Sequence, residues 1–157
     1  MTTNAKFTVP LAGEYWPFTF VVVGDLLISL TREGPIPDEV FDQFCATGAS
    51  TEVNWHFGCA IGGANITSVQ RKKIVDAFQG ITNITVIESS IARGLVTAVS
   101  WLGMNIKSFS WKEFDRAITM LDTKLVSHAE IRTLTEQLLK RSGAPSLDSM
   151  IKTGRAP

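Results

Sequence analysis

The side chains best placed to do chemistry stand where helices begin. Thr67 and Ser68 open one helix, and Arg71, Lys72 and Lys73 follow on its next turn. A hydroxyl there can accept phosphate, which would add roughly two negative charges beside three cations. The plainer reading is structural. Thr67 and Gln70 have the spacing of a capping box, and the basic triplet is then a solvated face. Ser89 and Ser90 open a second helix, between Glu88 and Arg93. A serine nucleophile needs a base, and no Gly-x-Ser-x-Gly pattern is present, so these two serines read as N-caps. Arg93 is the sole charge between Ser89 and Leu102. It is either a solvated first-turn residue or a holder of an anionic ligand or partner carboxylate at the carboxyl edge of a sheet.

Other combinations fail on spacing. His56 and Cys59 are close in sequence, but strand alternation puts Trp55, Phe57 and Cys59 on one face and His56 on the other. Gly58 and Gly63 have the interval of a phosphate-binding loop, yet Ala64 and Asn65 stand where Lys and Ser/Thr are required. Two histidines and two cysteines with no ligand-pair spacing point to no metal site, and no cofactor is expected. No catalytic residue is assigned.

Composition narrows the function classes. The chain has 157 residues, 45% hydrophobic and 19% charged, with fifteen basic and fifteen acidic side chains. That balance is globular and lacks the basic surplus of a nucleic-acid binder. The longest apolar stretch, Phe18–Val23, is far too short to span a membrane. Without a secretory signal or a disulfide framework, the expected compartment is cytoplasmic.

The elements that must position these groups follow from periodicity. FTFVVV (18–23) and LLISLT (26–31) are β-rich runs around Gly24-Asp25, a hairpin signature. A short helix opens at Pro37-Asp38-Glu39, with Val40, Phe41 and Phe44 inward. A strand is expected over 53–61, a helix from Thr67 to Phe78, a strand over 83–87 and an apolar helix from Ser89 to Leu102. A strand over 105–109 and a helix capped by Ser110 and Glu113 follow. The last helix, opened by a third capping box of Ser127 and Glu130, carries Ile131, Leu134, Leu138 and Leu139 on an apolar stripe, which packs internally or docks on another subunit. The predicted fold is α/β: a mixed sheet opened by a β-hairpin, then alternating helices and strands with right-handed crossovers, and an extra C-terminal amphipathic helix. The expected divisions are an N-terminal tail (1–14), the α/β domain (15–125), the C-terminal helix (126–143) and a flexible tail (144–157).

This order resembles the STAS family, the bacterial anti-sigma-factor antagonists. Val23-Gly24-Asp25-Leu26-Leu27, then Gly34-Pro35-Ile36-Pro37, looks like that family's path from first hairpin to first helix. The segment from Glu88 to Gly103 is similar to one in STAS-like proteins, and the resemblance covers roughly residues 15–125. It implies a non-enzymatic regulatory module that binds a protein partner, a kinase or other regulator, or itself as a homo-oligomer, with a phosphorylated Ser or Thr. Thr67 and Ser68 occupy the matching region, although Gly-Gly-Ala-Asn-Ile-Thr-Ser replaces the family's Asp-Ser-Ser-Gly-Leu pattern. Two readings stand beside it. One is a small-ligand or lipid-binding domain with its pocket between the 89–102 helix and the sheet. The other is a small hydrolase using Ser89, Ser90 or Cys59.

Overall fold

The computed structural model describes residues 6–7, 18–62, 64–88, 94, 97 and 103–155. In chain order these form β1 (Lys6–Phe7), β2 (Phe18–Val23), β3 (Leu26–Thr31), β4 (Gly34–Pro35), α1 (Asp38–Gly48), β5 (Trp55–Ala60), β6 (Ala64–Asn65), α2 (Ser68–Phe78), β7 (Thr82–Ile87) and β8 (Asn105–Phe109). A 3-10 turn at Trp111–Glu113 then leads into α3 (Phe114–Thr119), α4 (His128–Arg141) and α5 (Leu147–Thr153).

The fold is α/β around a mixed sheet of order β1-β2-β3-β5-β7-β8, as the hairpin and the alternating pattern require. β1, β2 and β3 pair antiparallel, and β3, β5, β7 and β8 run parallel. Gly24 (φ +56) supplies the left-handed conformation that the two-residue hairpin turn needs. The capping boxes at Thr67–Gln70 and Ser110–Glu113 are formed, and at Ser127–Glu130 the Ser127 side chain caps α4 by accepting from the Glu130 amide.

Alternation sends each strand's side chains to two separate cores. On one face, Phe20 and Leu27 pack with Phe41, Phe44 and Phe78 of α1 and α2. On the other, Val21, Ile28, Phe57 and Ile84 pack beneath α3, α4 and α5. His56 and Cys59 fall on opposite faces, as alternation predicts.

Three expectations change. Ile131, Leu134 and Leu138 are buried within the chain's own second core, so they offer no interface between subunits. The apolar sheet face opposite α1 and α2 needs a cover, and the α4 stripe supplies it. Within the expected tail, α5 forms: Leu147 and Met150 are buried, and Ser146 caps the helix. Pro, Ser and Gly around it hide an apolar pair at helical spacing. Near the N-terminus, Lys6 and Phe7 pair with β2, whose outer edge would otherwise present open hydrogen-bonding groups.

Candidate ligand-binding site

Three of the polar residues on the face of the sheet beneath α1 and α2 are joined side chain to side chain. Ser29, His56 and Asn83 lie on β3, β5 and β7, and all three are buried. Ser29 Oγ is 2.8 Å from His56 Nε2, and His56 Nδ1 is 3.0 Å from Asn83 Oδ1.

The proton positions follow from Asn83. Its Nδ2 donates to the carbonyls of Phe78, Ile81 and Asn105. Its Oδ1 therefore faces the imidazole and must accept, which puts the ring proton on Nδ1. Nε2 is left as an acceptor, so the Ser29 hydroxyl donates to it. Burial pushes the His56 pKa down from 6.5 to about 4, with the Asn83 hydrogen bond opposing part of that shift, so the ring is neutral at pH 7.

Gly58 makes the Ser29–His56 contact possible. Leu27 is the β3 residue in register with His56, and Ser29 is in register with Gly58. The ring must lean along its own strand, over Gly58, to reach Ser29. A Cβ at Gly58 would stand 3.0 Å from His56 Cε1 and 3.4 Å from Ser29 Oγ, in the space the ring crosses.

Beside this trio is a cavity of about 120 Å³. Its floor includes Ser29, His56, Gly58 and Thr85 from the sheet; Phe41 and Phe44 of α1 and Ile74 of α2 wall it. Met104, just before β8, and Ile106 of β8 also line it. An apolar protein cavity of roughly 150 Å³ takes up benzene, so this space is of ligand size. Arg71 also lines it, and its Nε is buried without a hydrogen-bond partner.

The basic triplet therefore splits three ways. Arg71 lines the cavity, Lys72 is exposed, and Lys73 pairs with Asp42 on α1 at 2.7 Å. Thr67 and Ser68 are exposed, and the Thr67 hydroxyl accepts from the Gln70 amide. Ser89, Ser90 and Arg93 lie outside the described residues. The amide of Gly62, in the glycine loop weighed for phosphate, donates to the Glu88 carboxylate, so a phosphate there would meet a negative charge. Both cysteines are buried. Burial, reinforced by Asp42, raises the Cys45 thiol to about 12, and burial raises that of Cys59 as well. Among the described residues no group of three or more His, Cys, Asp or Glu could hold a metal ion.

Sequence reasoning missed Ser29 and Asn83 altogether. Their signal is a polar residue on the same face of three successive apolar strands, which becomes visible only when the strands are aligned.

The trio has the order of a nucleophile, a base and an orienting group. Ser29, however, sits in the middle of a strand paired on both edges. Those ladders engage the backbone N–H groups around it, where an oxyanion site would need free ones. What Ser29 presents to a neighbour is its remaining oxygen lone pair, an acceptor. No protein-family model matches the chain, and neither a curated protein nor a solved structure matches it.

Proposed function

We propose that this protein is a small-ligand-binding α/β domain whose cavity between the sheet and α1/α2 takes up a compact, largely apolar molecule. The observation that carries this reading is the cavity itself: ligand-sized, walled by aromatic and aliphatic side chains, and floored by a fixed polar trio. Convergence of a few oriented polar groups in an apolar pocket is the usual form of a small-molecule site. The regulatory role implied by the STAS resemblance fits such a domain if occupancy alters what a partner binds. The partner-facing candidates are then Thr67, Ser68 and Lys72, which are exposed. Among the described residues no helix is long and apolar enough to cross a membrane.

The test is ligand-dependent stability. Benzyl alcohol or toluene at ten times its dissociation constant is expected to stabilise the fold by about 1.4 kcal/mol. In a chain of this size that raises Tm by about 3–6 °C. Ile74→Trp, which fills the space from α2, should abolish the shift while leaving the far-ultraviolet spectrum unchanged. Failure of both compounds to shift Tm, or an equal shift in the filled variant, would refute the reading.

A further inference from the structure

We propose that the ligand of this cavity is a small monocarboxylate, with its acid group held by Arg71 and its apolar body among Phe41, Phe44 and Ile74. This rests on the cavity being a binding site and goes on to name what it binds.

The charge inventory carries the argument. Arg71 is the only charged side chain among the described residues lining the cavity. Its Nε is buried and unpartnered, and none of the ion pairs among the described residues uses its guanidinium. A buried donor left in that state is destabilising unless something accepts from it. The helix does not call for a cation there either. Arg71 lies one turn into α2, toward the end where the helix dipole favours negative charge.

The chemistry of that anion follows. The guanidinium is a planar fork that matches a carboxylate by two parallel hydrogen bonds. One cation beside a neutral imidazole balances one negative charge, whereas a phosphate monoester brings roughly two. A cavity of about 120 Å³ accommodates one ring or a short branched chain. The class is therefore an aromatic or short aliphatic monocarboxylic acid.

The experiment measures binding of benzoate, benzyl alcohol and phenyl phosphate to the full chain by calorimetry. The proteins are the wild type, Arg71→Gln, and Lys72→Gln as a surface-charge control. Benzoate is expected to bind wild type at least tenfold more tightly than benzyl alcohol. Arg71→Gln should weaken benzoate tenfold or more and benzyl alcohol less than twofold, and Lys72→Gln should change neither. Equal affinity for acid and alcohol, equal weakening of both by Arg71→Gln, or tighter binding of phenyl phosphate than of benzoate would each overturn the carboxylate assignment while leaving the cavity reading in place. Binding of none of the three compounds would overturn both.

Discussion

Acid should unfold this protein partly through a single imidazole. His56 is buried, and its pKa is held at about 4 against an ordinary value of 6.5. Between those two pH values the unfolded chain binds a proton that the folded chain refuses, so stability falls as pH falls. The contribution is fully present above pH 6.5, declines through the interval and is exhausted below about 4. The whole shift corresponds to about 3 kcal/mol, of which about 2 kcal/mol is gone by pH 5. Against a typical total of about 5–15 kcal/mol, that is a large share. Urea unfolding at pH 7 and pH 5, in wild type and in His56→Gln, isolates the effect because the other titrating groups are common to both. The wild type should lose about 2 kcal/mol more than the variant over that range. The variant's absolute stability does not enter, since only the pH dependence is compared. If the variant fails to fold, the His56 ring proton in the wild-type NMR spectrum carries the test, and it should not shift until the pH approaches 4. Equal pH dependence in the two proteins, or a ring that titrates near 6.5, would refute the argument that burial, working against the Asn83 hydrogen bond, keeps the imidazole neutral.

Three further outcomes are expected. In Gly48→Ala the new Cβ would lie 2.1 Å from the ring of Phe78, which is itself fully buried. Overpacking of this kind costs about 1–3 kcal/mol, so Tm should fall by several degrees, and an unchanged Tm would show that the α1–α2 contact yields freely. Gly58→Ala pushes the imidazole off Ser29 and should lower stability by about 1–2 kcal/mol, read by urea unfolding, and should weaken benzyl alcohol binding. Both thiols should be inert to a disulfide reagent in the native state and release two equivalents on unfolding, since both cysteines are buried with raised pKa values. Reaction of either native thiol at neutral pH would contradict that burial.

The architecture was legible where the signal is local. Gly24-Asp25 between two apolar, β-rich runs defines the hairpin, and the Ser/Thr caps with Gln70 and Glu113 three residues on define two helix starts. The site was not legible, because its logic runs across strands. Ser29, His56 and Asn83 are 27 residues apart at each step. Each alone looks like an ordinary polar residue in a strand. Only register reveals that Gly58 leaves the gap through which His56 meets Ser29. The α4 stripe illustrates the complementary difficulty. Ile131, Leu134 and Leu138 were visible as an apolar face, but an apolar face looks the same whether its destination is the parent sheet or another molecule. Arg71 was visible as one of three cations, and only the direction of its side chain separates it from Lys72 and Lys73.

The two sheet faces are covered by different stretches of chain, and this sets an order of events during synthesis. α1 and α2 are interleaved with the strands, so their face can close as the strands pair. The opposite face waits for everything after β8. A nascent chain that has emerged only as far as Ser110 holds Val21, Ile28, Phe57 and Ile84 without the helices that cover them. Exposed surface of this kind in an incomplete fold favours aggregation. Ribosome-stalled chains ending at Ser110 should therefore bind a hydrophobic dye, and chains extended through Gly154 outside the exit tunnel should not. The last third of the sequence acts, on this view, as a cover delivered late, and the interval before its arrival is when the protein most needs a chaperone.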